Sequence, residues 1–303
     1  MKNPINRLSK SLVALLVVGL WLTATLMAAG QALAGSASPV VKFAVIGDSG
    51  TGGEDQKRVA AQMLAWHDVN RYEFVLMVGD NIYPSGNPRD YPKKFEQPYA
   101  PLLARGVKFY AALGNHDVRG DNERYAIHYP HFNMGGQRYY TFIKGDGLVQ
   151  FFALDSTTMS DGQRDHDQLR WLTEALSASQ ARWKIAFFHH PLYSSGQTHG
   201  SSHKLRAILE PILLQGNVRV VFSGHDHVYE RLVPQRGIHY FVTGAAGKLR
   251  RGDLDRTSKL TVKGNDQVHH FMYIEIDARQ MRFQAVSKHG EVFDQGTIPA
   301  SLP

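Results

Sequence analysis

The chain contains no cysteine. Disulfides therefore add nothing to its stability, and no lipid-modified cysteine tethers it to a membrane. A dense basic run is missing too. The 34 Lys and Arg residues stand dispersed against 27 Asp and Glu, for a formal net charge of +7. With no nucleic-acid-binding motif and no basic aromatic surface, the composition gives no support to a nucleic-acid partner. Internal repeats, low-complexity tracts and linkers are also absent. Nothing divides residues 39–303, which are expected to form a single domain.

What is present begins at the N-terminus. Lys2, Arg7 and Lys10 precede an apolar stretch over about residues 12–29, and Ala32-Leu33-Ala34 then sets small residues at −3 and −1 of a cleavage site. This is the pattern of a secretory signal over residues 1–34, cleaved after Ala34. The competing reading is an uncleaved anchor, because the apolar run approaches the roughly 20 residues that span a bilayer. Cleavage leaves 269 residues (303 less 34) and removes three positive charges, so the mature net charge falls from +7 to +4. That mild excess is a weak aid to anionic substrates. The expected location is periplasmic or secreted, bacterial export fitting a disulfide-free chain best. The mature protein is expected to be a monomer without stable membrane association.

Apolar, β-branched runs at 40–46, 74–78, 107–112, 148–154, 184–188 and 218–222 predict buried strands. Runs at 239–242, 271–276 and 281–287 alternate more and predict antiparallel pairs. Helical patterns intervene at 57–69, 168–178 and 205–214. The first gathers Val59, Met63, Leu64 and Trp66 near one face, and the second gathers Leu169, Leu172 and Leu176. These apolar stripes read as core. The fold class is therefore α/β, two packed mixed β-sheets flanked by helices. Residues 84–92 and 118–137 are expected to be surface loops over a site.

Five short motifs follow the strand runs in order: Asp48-Ser49-Gly50, Gly79-Asp80-Asn81-Ile82-Tyr83, Gly114-Asn115-His116-Asp117, His189-His190-Pro191 and Gly224-His225-Asp226-His227. Ligands in open α/β sheets bind beyond the carboxyl ends of strands, so chain-distant residues can meet on one rim. Gly47, Gly79, Gly114 and Gly224 each precede a polar residue and are expected to allow the turn that aims it. Taken singly, each motif has a plain structural explanation. A Gly-Asp after a strand is usually a capped turn, a lone histidine is usually hydrogen-bonded structure, and Tyr83 could simply pack before Pro84. Together they supply carboxylates, a phenol, a carboxamide and imidazoles, the donor set of a two-metal hydrolytic site.

The ordered set resembles the metallophosphoesterase superfamily, and within it the small, tartrate-resistant type of purple acid phosphatase. The family pattern is D-x-G, G-D-x-x-Y, G-N-H-[DE], a strand-ending His and G-H-x-H, and every element occurs between residues 48 and 227. The pairing of Gly50 with Tyr83 separates this type from superfamily members that have histidine at the first position and no tyrosine at the second. The resemblance implies a four-layer α/β/β/α catalytic domain. It also implies one metal, Fe(III), on Asp48, Asp80, Tyr83 and His227. A second, divalent metal (Fe, Zn or Mn) would sit on Asp80, Asn115, His189 and His225. Phenolate is a hard anionic donor that suits Fe(III) and would colour the protein. His189 is preferred to His190, which directly precedes Pro191 and is conformationally restricted.

The implied activity is acid phosphatase: direct in-line attack of a metal-bound hydroxide on small phosphomonoesters, without a covalent phosphoenzyme. Two histidines are candidates to protonate the leaving group. His116 adjoins Asn115, its alternative being a structural role oriented by Asp117. His199 resembles the family's His-Gly pair, but Thr198 stands where an acidic residue often does and the spacing from His189 is one residue longer. His203 is a possible substitute for it. His269-His270 lie in no motif and receive no role. A phosphodiesterase or nucleotide hydrolase on the same centre remains the alternative, as does an inactive exported metal-binding protein.

Overall fold

The computed structural model describes residues 39–300. The signal sequence expected over residues 1–34 lies outside the described residues. Two mixed β-sheets pack face to face with helices on both outer sides. In the first, strands run in the order β13-β12-β11-β1-β2-β3, and in the second β10-β8-β9-β7-β6-β5-β4. The parallel strands of the first sheet are β1 (Val41–Ile46), β2 (Phe74–Met77) and β3 (Lys108–Ala111). The second sheet's parallel core is β5 (Val149–Ala153), β6 (Trp183–Phe187), β7 (Val220–Ser223) and β9 (His239–Thr243).

Strand β1 shows why the apolar runs are nearly continuous. Phe43 and Val45 enter the core between the sheets, whereas Ala44 and Ile46 face helices. A strand covered on both faces has no polar side to alternate. Between the sheets Phe43 stacks on Phe74 at 5.1 Å and meets Phe151 edge-on at 5.2 Å. Truncating so enclosed a ring costs about 3–5 kcal/mol.

Helix α1 (Glu54–Asn70) buries Val59, Ala60, Met63 and His67 at helical spacing, with Glu54 and Asp55 favourably placed in its first turn. It ends at Arg71 in the left-handed region. Helix α2 (Gln97–Ala104) also covers the first sheet, while α4 (His166–Ala178) and α5 (His203–Gln215) cover the second.

Two expectations need correction, and three strands went unread. Residues 118–137 are not a free surface loop: they contain α3 (Glu123–His128), and Tyr129, Phe132 and Met134 pack into the core of the first sheet. The run at 239–242 is only half antiparallel, since β9 pairs antiparallel with β8 (Tyr229–Leu232) but parallel with β7. Edge strands β4 (Tyr140–Lys144), β10 (Thr261–Asn265) and β13 (Val292–Pro299) carry too many polar residues to read as buried runs. The antiparallel extension expected from 271–276 and 281–287 is present as β11 (His270–Ile276) and β12 (Gln280–Ser287).

Candidate metal centre

The carboxyl ends of β1, β2 and β3 in one sheet and of β6 and β7 in the other open on a common rim. Asp48 lies two residues past β1, Asp80 three past β2, Asn115 four past β3, His189 two past β6, and His225 and His227 just past β7. All seven meet in one polar network. Tyr83 Oη donates to Asp48 Oδ1 at 3.1 Å and lies 3.2 Å from His227 Nε2, itself 3.4 Å from Asp48 Oδ1. The His225 amide donates to Asp48 Oδ2 at 3.0 Å, and its Nδ1 is 3.2 Å from His189 Nε2. His189 Nε2 reaches Asn115 Oδ1 at 3.1 Å and Asp80 Oδ1 at 3.4 Å. Asp80 faces Tyr83 as well as His189, and so lies between the two groups.

The glycines act differently from expectation. Left-handed backbone falls on the polar residues themselves: φ is 53° at Asp48, 52° at Asp80 and 71° at His225. Of the four preceding glycines only Gly79 shares it, at 96°. Gly114 and Gly224 instead supply room. A Cβ at Gly114 would lie 2.2 Å from the Asp80 amide nitrogen, and one at Gly224 would lie 2.3 Å from Asp48 Oδ2. Gly50 is the tightest, since a Cβ there would lie 1.7 Å from the Asn81 carbonyl oxygen. A histidine cannot be accommodated at position 50 on this backbone.

The donors fit a cation pair. Asp48 and Asp80 are buried, yet among the described residues neither has a Lys or Arg within ion-pair distance; only histidines approach them. Burial pushes the Asp48 carboxyl well above its ordinary value, with Asp80's charge adding to it. Burial, then Asp48 and Asp80, push the Tyr83 phenol up. Burial depresses His225 strongly, with His189 next, and brings His227 down to about 4, with Arg250 contributing. A carboxyl at Asp48 and a phenol at Tyr83 that resist ionisation beside imidazoles that resist protonation are groups lacking a positive ion between them, whereas Asp80, despite burial, is held below its ordinary value by His189 and the His116 amide. Donor atoms of Asp48, Asp80 and His189 all lie within 4.8 Å of one another. The His189 Nδ1–H donates to the Val78 carbonyl at 3.1 Å, which leaves the Nε2 lone pair facing the cluster. His190 turns away, its Nδ1 2.9 Å from Ser156 Oγ.

His116 sits at the rim. Its amide donates to Asp80 Oδ1 at 2.8 Å, while its ring places Nδ1 2.6 Å from the Pro84 carbonyl and Nε2 3.3 Å from Arg119. Asp117 does not orient it, although the structural alternative to the proton-donor reading had it do so. Its buried carboxylate accepts from the amides of Asn81, Ile82 and Gly114, which clamps the Asp80 and Asn115 loops together. In the sequence it stood only as the last residue of the Gly114-Asn115-His116-Asp117 motif. His199 is exposed, with its ring 4.0 Å from that of His225. Its loop is held by buried Asp226, which accepts from Ser194 Oγ at 2.6 Å and the Gly200 amide at 3.2 Å. His203 decorates the first turn of α5 and bonds Arg206. His270 is buried against Thr243, and His269 lies beside Asp55.

Comparison with known proteins agrees with this geometry. Residues 41–229 match the calcineurin-like phosphoesterase family. Purple acid phosphatase 17 of Arabidopsis thaliana is 32% identical over 243 residues, 71% of this chain and 71% of its own length. Tartrate-resistant acid phosphatase type 5 of Homo sapiens is 24% identical over 310 residues, 88% of this chain and 93% of its own. The structure of GAP50, described as the anchor in the inner membrane complex of Plasmodium, superposes with a TM-score of 0.74 at 20% identity, over 86% of this chain and 89% of that one. That last likeness is of fold alone. With its motifs, sheet topology and relatives in agreement, the chain belongs to the calcineurin-like phosphoesterase family and, within it, to the purple acid phosphatases.

Proposed function

We propose that this protein is an exported, dinuclear-metal acid phosphatase acting on small phosphomonoesters, with residues 39–303 as its single catalytic domain. The observation that carries the reading is the continuous network joining Asp48, Asp80, Tyr83, Asn115, His189, His225 and His227 at the junction of the two sheets. Fold alone would not carry it, because GAP50 is described as an anchor on a similar scaffold.

In this reading Asp48, Tyr83 and His227 would hold Fe(III), Asn115, His189 and His225 a divalent Fe, Zn or Mn, and Asp80 would serve both. When bound, the metal pair supplies Lewis acidity and an acidified water for in-line attack on phosphorus. The protein's part begins with proton release. Burial and two carboxylates keep the Tyr83 phenol protonated in the metal-free chain, so its loss of a proton is tied to loading. Buried imidazoles with depressed basicity stay neutral and available as donors in acid. His116 or His199, both at the rim, would give a proton to the departing alkoxide. Cleavage after Ala34 would free a monomer. Among the described residues no helix is long and apolar enough to cross a membrane.

The test is the visible spectrum and metal content of protein purified without added metal, followed by hydrolysis of an aryl monoester and an aryl diester at acidic pH. A violet-to-pink band, near two metals per chain and preference for the monoester are expected. A colourless protein with two divalent ions would remove the Fe(III)–tyrosine assignment. Preference for the diester would shift the substrate class, and two bound metals without turnover of either ester would overturn the enzyme reading.

A further inference from the structure

The parallel strands that carry the candidate ligands past their carboxyl ends all begin at the opposite end of the molecule, and cations gather there. The second sheet sets them side by side. The Arg219 amide donates to Lys184 O at 2.9 Å and the His239 amide to Arg219 O at 3.0 Å, so the starts of β6, β7 and β9 are level. Arg182 immediately precedes β6, Arg236 lies in the turn between β8 and β9, and Lys144 ends β4 where the hairpin turns into β5. The Lys144 ammonium reaches across to the first sheet, 5.2 Å from the centre of the Phe74 ring and 5.5 Å from that of Tyr110. Lys108 opens β3, the strand of Tyr110, and is exposed. From β9 to β4 is four strand spacings, about 19 Å at about 4.8 Å each. Because the row is drawn from separate elements, no basic run in the sequence announced it.

Neighbouring cations are neutralised. Arg105 pairs with Asp68 at 3.1 Å, and Arg282 with Glu275 at 2.6 Å and Asp277 at 3.2 Å. The row is not. Glu73 and Asp146 belong to the same end, yet among the described residues no carboxylate lies within 4.0 Å of Lys108, Lys144, Arg182, Lys184 or Arg219, and Arg236 reaches Glu210 only at 3.6 Å. Burial lowers Lys184 and Arg219 from their ordinary values, with no acid to offset it. Like charges gathered at one end attract an anionic partner. The same end also exposes aliphatic side chains. Val69, at the end of α1, is 80% exposed and Ile143, in β4, 55%; Val40, before β1, and Val233, after β8, are exposed too. Cations spread over a broad surface with aliphatics among them match the boundary of a bilayer, where anionic headgroups overlie acyl chains. A soluble polyanion would use the cations and leave the aliphatics idle.

We propose that this end of the molecule is a docking surface for anionic lipid bilayers, on which the protein rests reversibly with its metal centre facing away. The contact is peripheral, not a span, and it does not depend on the phosphatase reading. Strand β6 has 5 residues, so the rim stands about 17 Å above the docked end. The centre therefore stays open to solutes while the protein is docked. Attraction of this kind acts within a Debye length of the headgroups and weakens with salt.

The experiment is co-sedimentation of the exported protein, with loss of residues 1–34 checked by mass spectrometry, with two kinds of vesicle at low and at physiological salt. One is phosphatidylcholine alone, the other equal parts phosphatidylcholine and phosphatidylglycerol. Wild type is expected to sediment with the anionic vesicles only, and to be released as salt rises. Each surface cation adds roughly fivefold to such partitioning, so Lys108→Gln/Arg182→Gln/Arg236→Gln should weaken it about a hundredfold. Arg58→Gln/Arg164→Gln/Arg170→Gln removes the same charge nearer the rim and should bind like wild type. Ile143→Ser should weaken vesicle binding severalfold and leave capture on dextran sulfate unchanged. Melting temperatures verify the fold of each variant. Wild type that ignores anionic vesicles, or equal loss in the two triple variants, would overturn the docking surface. Binding to dextran sulfate without binding to vesicles would overturn it as well, assigning the cations to a soluble polyanion. None of these results alters the reading of the metal centre.

Discussion

Asp117 offers the sharpest test of how the site is held. Its fully buried carboxylate accepts the Asn81 amide at 2.9 Å, the Ile82 amide at 3.1 Å and the Gly114 amide at 2.9 Å. It also takes the Asn81 side-chain amide at 3.0 Å, but that group keeps a second partner in the Ala112 carbonyl at 2.8 Å. Replacing Asp117 by alanine strands the three backbone donors. At roughly 1–3 kcal/mol for each buried unsatisfied amide, and with water entering the vacated volume, the expected loss is about 4 kcal/mol. In Asp117→Asn one oxygen remains for Asn81 and Ile82, while the new NH2 opposes Gly114 N–H, so about 2 kcal/mol is expected. Against a domain stability of about 5–15 kcal/mol, both losses are measurable by urea unfolding of the metal-free protein. The clamp also fixes the loops bearing Asp80 and Asn115, so metal affinity in Asp117→Asn should fall about tenfold or more. Stability of Asp117→Ala within 1 kcal/mol of wild type would refute this account of the site's support.

Tyr83→Phe should abolish most visible absorption while leaving the far-UV circular dichroism unchanged; a retained band would move the colour to another ligand. Asp80→Ala should strip both metals, read by elemental analysis after desalting, and retention of two ions would contradict a shared carboxylate. His270 gives a pH prediction. Burial holds its imidazole near 3 against an ordinary 6.5. As pH falls the unfolded chain takes the proton first, so the contribution present above pH 6.5 is lost between 6.5 and 3, on the order of 5 kcal/mol. Urea midpoints of the metal-free protein should fall across that window, and His270→Gln should flatten the slope. An unchanged slope would assign the acid sensitivity elsewhere.

The strands that carry the candidate ligands were legible because both faces of each are covered, which produces runs such as 41–46 and 218–222 that nothing else mimics. Prolines concealed the helical stretch from Pro92 through α2: Pro92 and Pro98 occupy first-turn positions and Pro101 lies inside. Residues 118–137 misled for another reason. Their aromatics were taken for a site cover, whereas Tyr129 meets Tyr91 edge-on at 4.6 Å and Phe132 packs tilted against it at 5.4 Å beneath the surface. The donor residues could be named from their order, but their supports could not. Asp117, Asp226 and residues 246–250 act mostly through contacts across 23 to 200 positions, and no local pattern encodes those.

The left-handed backbone at Asp48, Asp80 and His225 has a meaning for how such a chain can change. An L-residue held there costs on the order of 1 kcal/mol, a cost that glycine escapes and asparagine reduces. Asp48 and Asp80 add buried charge to that cost. A chain released from catalysis could ease that backbone cost by drifting to Asn at these positions, whereas Gly at 48 or 80 would strand the Tyr83 hydroxyl and the His225 and His116 amides. Retaining two aspartates and a histidine there runs against stability, and it sets this chain apart from a scaffold whose site has fallen idle. The same reasoning gives a design route: Asp48→Asn, at the carboxyl that burial pushes well up, should yield a more robust and inert version of the fold, suited to use as a binding scaffold.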